Sequence, residues 1–245
     1  MPESAVIDTE RNVIYVSNVN TYAKDSNGFI SRISLDGNTV ELRWIEGLHS
    51  PTGMVLVDSA LYVADFDALV EIDLKSASIR NRFDAPHITP SLNDVAASAN
   101  GNIYVSGSAS NSIYELANGK LNLWLKDDSL LDLANGLLVE GDNLISGGKT
   151  WNVFNRHAKA LISDHLQPPT GTNGFDGIVS DGCGGYLYTL LDDTRIQRLS
   201  HDGRSSAASP IEFNGIDMHK VGNRLAVPLV GNSLALLNVS IEDCE

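Results

Sequence analysis

Basic residues are scarce in this chain: 17 Lys and Arg stand against 31 Asp and Glu, a formal charge of -14. Such a balance excludes a surface built to displace counterions from nucleic acid or to settle on anionic lipid. Long apolar runs are missing too, with none reaching the roughly 18 residues that a membrane-spanning helix needs, so no membrane insertion is expected. No charged stretch followed by an apolar core opens the sequence, so no signal peptide is expected as written. The compartment stays open between cytoplasmic and, after loss of an N-terminal segment, periplasmic or secreted. Cysteine is rare as well. Cys183 and Cys244 are too few for a disulfide framework and match no metal-ligand spacing, which leaves one disulfide or a free pair. No Gly-x-Ser-x-Gly elbow occurs, and the glycines around Cys183 lack the strand-to-helix context of a phosphate loop, reading instead as a hairpin. Apolar residues spaced three or four apart are absent from any useful window, so helix should be nearly absent.

What the chain does contain is repetition. With 42% hydrophobic residues it can build a sizeable core. A polar anchor, often followed by Gly, opens a short apolar run, then a turn and further β-rich runs follow. The anchors are Glu3, Thr52, Asn93, Asn135, Asp176 and either Asp217 or Asn214, with Asp217 giving the more regular step of about 41 residues. Each unit carries a second strand such as Leu61–Ala64, a third that alternates apolar and polar residues such as Ser112–Leu116, and hairpin signals at Asp36-Gly37, Asn118-Gly119 and Asp202-Gly203. Four short strands per period of this length define a β-propeller blade. The chain is therefore read as all-β, a single domain over residues 1–245, a six-bladed propeller with four-stranded antiparallel blades. The sixth unit ends after its third strand. Either that blade has three strands or a segment that would complete it is missing, and this seam is the expected weak point. The first unit is the longest, and its excess falls in Asn18–Gly28, a polar loop that is either an inert insertion or a wall of a site at the channel mouth.

Because anchors open innermost strands, they should converge at one mouth of the central channel. The ring they form offers carboxylate, amide and hydroxyl oxygens and no sulfur or imidazole. Hard oxygen donors in a rigid cavity suit a divalent metal, most readily Ca²⁺. Asn-Gly and Asp-Gly pairs are also ordinary turn residues, which is the structural alternative. Among the histidines, His49 and His219 lie near inner-strand starts and are further candidates for lining the channel, while His201 reads as a solvated hairpin residue. Trp44, Trp124 and Trp151 read as packing residues.

Taken together, Pro2-Glu3-Ser4, Gly47-Leu48-His49-Ser50-Pro51-Thr52-Gly53-Met54, Leu61-Tyr62-Val63-Ala64-Asp65, Leu92-Asn93-Asp94, Ala134-Asn135-Gly136-Leu137 and Phe175-Asp176-Gly177-Ile178 resemble the SMP-30/gluconolactonase/luciferin-regenerating-enzyme-like propellers. The resemblance implies a channel metal, usually Ca²⁺, held by Glu3, Asn135 and Asp176, with Asn93 at the substrate or metal. It also implies a hydrolase of the lactonase or esterase type acting on a small molecule, with Asp176 and Asn93 catalytic. Two residues before Asn93, where sugar lactonases often place Arg, this chain has Ser91. The competing expectation is a non-catalytic propeller that binds a ligand or protein, its channel metal structural or absent. A metal-free lyase on the same scaffold ranks below both. The oligomeric state is not legible.

Overall fold

A computed structural model of the chain describes all residues except 87–90, 163–166, 170, 172–173, 194, 209–215, 230 and 240–245. The β-branched and aromatic runs become 23 strands, and no helix forms among the described residues. Blade 1 comprises β1 (Pro2–Asp8), β2 (Val13–Asn18), β3 (Gly28–Ser34) and β4 (Val40–Leu48). Blade 2 comprises β5 (Pro51–Val57), β6 (Ala60–Asp65), β7 (Ala68–Asp73) and β8 (Ser78–Asp84). Blade 3 holds β9 (Leu92–Ala97), β10 (Ile103–Gly107), β11 (Ser112–Ala117) and β12 (Lys120–Lys126). Blade 4 holds β13 (Leu137–Glu140), β14 (Asn143–Ser146), β15 (Asn152–Asn155) and β16 (Ala160–Leu161). Blade 5 runs through β17 (Phe175–Ser180), β18 (Tyr186–Leu190), β19 (Gln197–Leu199) and β20 (Ser205–Ala207). Blade 6 has β21 (His219–Val221), β22 (Arg224–Leu229) and β23 (Ser233–Asn238).

In every blade sequential strands pair antiparallel, from the innermost outward. The expected hairpins form: Asn118 and Gly119, both at positive φ, make the two-residue turn that pairs Ala117 with Lys120. The glycines around Cys183 likewise join β17 to β18. Blade 6 has three strands among the described residues, as the sequence predicts.

Each inner strand lies between two neighbouring blades, so both of its faces are buried, as along the whole of β1, and adjacent blades stack those faces on one another. The result is six apolar clusters, one for each blade interface. Tyr104 and Ile113 of blade 3 pack with Leu144 and Phe154 of blade 4, and Ile145 and Trp151 of blade 4 pack with Phe175 and Tyr188 of blade 5. Trp124 and Trp151 are wedges in these layers, with Trp124 edge-on to Tyr104 and Phe154 at 5.9 Å. Among the described residues, blade 6 meets blade 1 without strand pairing. Ala5, Ile7, Ile14 and Val16 pack on Ala226, the Ile7 N–H donates to His219 Nδ1 at 3.1 Å, and Ser4 Oγ donates to Asp217 at 2.5 Å.

Candidate functional site at the channel mouth

A recurring backbone device aims the anchors inward. On β1, Pro2 faces Asn18 but Ala5 faces Val16, so three steps oppose two and one residue bulges at Glu3–Ser4. The same register shift places Thr52–Gly53, Asn93–Asp94 and Asp176–Gly177 in bulges on β5, β9 and β17. Just ahead of β13, Asn135 and Gly136 both bond to Gly147. A bulge interrupts the pleat and re-aims a side chain, which is why polar residues can stand at the start of otherwise apolar inner strands. The N–H freed at the second bulge residue is satisfied by a hydroxyl on the neighbouring strand. Ser4 donates to Ser17, Asp94 to Ser106 and Gly177 to Thr189, each at 2.9 Å.

The glycine that often follows the anchor has a packing reason rather than a turn reason. At Gly136 a Cβ would lie 1.6 Å from the Asp176 carbonyl oxygen of the next blade, and at Gly53 it would lie 2.4 Å from Asp94 Oδ1. Inner strands of adjacent blades come that close only where no side chain intervenes.

The ring divides into two chemically distinct sets. Thr52, Asp94 and Asp217 are engaged. Thr52 Oγ1 lies 3.3 Å from the Ala64 carbonyl and 3.2 Å from that of Leu92. Asp94 accepts from the Val95 N–H at 2.7 Å and from the Leu137 N–H at 2.6 Å. Asp217 accepts from Ser4 and from the Met218 N–H at 2.6 Å. These contacts stitch blade 2 to 3, 3 to 4, and 6 to 1. Glu3, Asn93, Asn135 and Asp176 are different, since none of their side chains has a hydrogen-bond partner among the described residues. Glu3 Oε2 and Asn135 Oδ1 are shut off from solvent with no partner. Buried polar atoms are almost always paired, so an unpaired carboxylate and amide at one mouth call for a ligand.

Charge sharpens the point. Burial first, then the charges of Asp176, Asp217 and Asp94, pushes the Glu3 carboxyl well above its usual range. Asp176 is raised by burial and by Asp217 and Asp94, and Asp94 by burial and by Asp217, against its backbone hydrogen bonds. Asp217 is raised to about 6 by burial, against the Ser4 and Met218 bonds. Below the ring the channel continues as a cavity of about 150 Å³, with Asp94, Asp217 and His219 in a wall otherwise supplied by Met54, Leu137 and Ile178.

His219 lines that cavity, with its Nδ1 accepting from Ile7 and its pKa lowered to about 4 by burial, so the ring is neutral with its proton on Nε2. His49 is occupied elsewhere: its N–H donates to Asp65 Oδ1 at 2.6 Å, and its Nδ1 receives the Ser26 N–H at 3.1 Å, which fastens the long first-blade loop. Asn214, the alternative sixth anchor, lies outside the described residues, as does Cys244. Cys183 is disulfide-bonded.

Two participants have no simple sequence signal. Asp94 follows Asn93 in the bulge of β9, and it is Asp94 that reaches the cavity wall. Tyr22, in the long loop, exposes 58% of its surface, yet its phenol is pushed up to about 12, by desolvation first and by the Glu3 and Asp176 charges next. More than half of the side chain faces solvent, and the phenol is near enough to Glu3 and Asp176 to feel their charges.

Among the described residues, no three His, Cys, Asp or Glu side chains stand together as a metal-holding group. The unpaired set is two carboxylates and two amides, a composition that matches the oxygen donors of a hard cation.

No family model and no curated protein matches the sequence. Solved structures do match in shape. A gluconolactonase from Xanthomonas campestris aligns with a TM-score of 0.73 at 16% identity, covering 98% of this chain and 86% of that one. The virginiamycin B lyase of Staphylococcus aureus aligns with a TM-score of 0.65 at 13% identity, covering 98% of this chain and 85% of that one. The WD40 propeller domain of Doa1 gives 0.72 at 14% identity, with coverages of 100% and 80%. At such identities the likeness establishes the class alone. This chain is a six-bladed β-propeller of a shape shared with a gluconolactonase, a lyase and a WD40 domain.

Proposed function

We propose that the protein is a calcium-dependent hydrolase of the lactonase or esterase type, acting on a small molecule at the channel mouth. The observation that carries the reading is the set of four unpaired side chains, Glu3, Asn93, Asn135 and Asp176, in a ring whose other polar members are hydrogen-bonded. Likeness in shape to a gluconolactonase supports the lactonase side of it. Glu3, Asn135 and Asp176 would hold the ion, with Asn93 at the metal or substrate. A bound divalent cation would supply Lewis-acid polarisation of a carbonyl oxygen and balance the carboxylate charge.

The chain's own groups supply the remainder. The Asn93 amide donates to a substrate oxygen and fixes the orientation of the carbonyl. Asp176 takes a proton from an attacking water as general base. Water oxygen bonds to the acyl carbon, the ring or ester C–O bond breaks, and the proton held on Asp176 passes to the departing oxygen. A lactone thereby becomes a hydroxy acid.

Elemental analysis of the purified protein should find bound calcium, and a chelator should lower the melting temperature. Asp176→Asn should abolish calcium binding and cut turnover of a panel of lactones and aryl esters by 100-fold or more, roughly the scale of losing a positioned acid–base group. A metal-free protein whose melting ignores chelator, or a variant that keeps both properties, would overturn the reading.

A further inference from the structure

Nine large apolar side chains are exposed among the described residues, and their distribution is uneven. Five lie on the outermost strands of their blades, Val40 and Leu42 of β4 among them. The other four, Met1, Tyr22, Leu133 and Leu191, are each tied by sequence or by hydrogen bonds to segments that carry the unpaired donors. Met1 and Leu133 each stand two residues ahead of an unpaired donor, Glu3 and Asn135. Leu191 donates its N–H to the Gly174 carbonyl at 2.9 Å, which sets it beside the chain two residues ahead of Asp176. Tyr22 belongs to the loop whose Val19 exchanges backbone hydrogen bonds with Met1 at 2.9 and 2.7 Å. That loop does not swing freely. Ser50 Oγ donates to the Thr21 carbonyl at 2.5 Å, the Ala23 N–H donates to Ser50 Oγ at 3.1 Å, and Lys24 pairs with Asp67 at 2.6 Å.

We propose that Met1, Tyr22, Leu133 and Leu191 form an apolar collar that selects an uncharged lactone or ester carrying an alkyl or aryl group, rather than a polyhydroxylated or carboxylate-bearing one. The inference rests on the hydrolase reading above and narrows its substrate class. An apolar group held over the throat leaves the collar's surface covered and its own surface out of water, which is the source of the selectivity. Among the described residues, the lysines on the rim loops offer an anionic substrate no free cation. Lys24 and Lys149 are already paired with Asp67 and Asp132, and the throat beneath is lined by carboxylates.

The test uses calcium-loaded protein and a series of γ-lactones whose alkyl tails grow from one to six carbons, beside glucono-δ-lactone. The matching γ-lactams, which resist hydrolysis, report binding alone. Each added methylene should raise kcat/KM, and lactam affinity, by about two- to fourfold, the scale of burying one CH₂ partly or fully. Tyr22→Ser and Leu191→Ser should flatten that slope, while Leu42→Ser, an equally exposed control on an outer strand, should leave it intact. A flat slope in the natural protein, an unchanged slope in both rim variants, or a preference for glucono-δ-lactone would overturn the collar. Lactam affinity that climbs with tail length while no lactone is cleaved would keep the collar and sink the hydrolase reading. Cleavage with no tail dependence would do the reverse.

Discussion

Asp65 and Asp176 are both fully enclosed aspartates, but their surroundings differ. Asp65, in the body of blade 2, pairs with Arg82 at 2.9 Å and accepts the His49 and Ser50 N–H groups at 2.6 and 2.8 Å. Asp176, in the throat, has neither a cation nor a hydrogen bond among the described residues. The contrast extends to the other buried acids. Asp8, Glu71 and Asp181 each face an arginine, Arg11, Arg80 and Arg198, whereas Glu3 and Asp94 face none. Blade-body acids are structural, each neutralised where it is buried. Throat acids repel one another and raise one another's pKa, an arrangement that costs stability unless something cationic enters. Pairing, and not burial, separates the two kinds of carboxylate: the blade-body acids have a cation and Glu3 and Asp176 have none among the described residues.

Opposite responses to charge removal would test that division, and Asp65→Asn should have the largest effect. It strands Arg82 and weakens the acceptor for two backbone N–H groups, so a loss of about 2–4 kcal/mol is expected from denaturant unfolding. Glu3→Gln should do the opposite in chelator, gaining about 1–3 kcal/mol because an unpaired buried charge and its repulsion with Asp176 are removed. Added calcium should then stabilise the natural protein and not the variant. If Glu3→Gln in chelator loses as much as Asp65→Asn, the throat acid is held by structural contacts and the division fails.

Much of this was legible in the chain. Period, alternation and hairpin dipeptides carried the six blades and the short last blade, because each is a local signal repeated several times. The anchors were legible as a set for the same reason. Their geometry was not. Bulges are written in backbone register, so nothing in the residues at Asn93-Asp94 says that Asp94 reaches the channel cavity, or that Thr52 and Asp217 are consumed by interblade hydrogen bonds while Asn135 is left unpaired. The recurrent Gly read as a turn residue, and the close approaches of Gly136 to Asp176 and of Gly53 to Asp94 give it a packing reason instead. Tyr22 was hidden longest. A loop residue is placed by its tethers, here Ser50, His49 and Asp67 of the next blade, and those pairings span more than twenty residues of sequence.

A last effect, about 2 kcal/mol between pH 4.5 and 6.5, concerns the floor of the throat, where an imidazole and a carboxylate answer acid in opposite senses. His219 is held neutral, its pKa lowered from 6.5 to about 4 by burial. The unfolded chain takes up that proton first as pH falls, so this group's contribution to stability grows as pH rises from about 4 to 6.5. Asp217 is raised from 3.8 to about 6, so the folded state keeps its proton longer and its contribution shrinks as pH rises through that interval. In chelator the two slopes oppose each other. His219→Gln removes the rising one, and urea midpoints at pH 4.5, 5.5 and 6.5 should fall more steeply in the variant than in the natural protein. Equal slopes would mean that the imidazole exchanges protons freely with solvent, which its bond from Ile7 and its place in the channel wall oppose. With calcium bound, the carboxylate side of this balance should disappear, leaving stability that rises with pH, because a cation in the throat favours the ionised acids that burial alone disfavours.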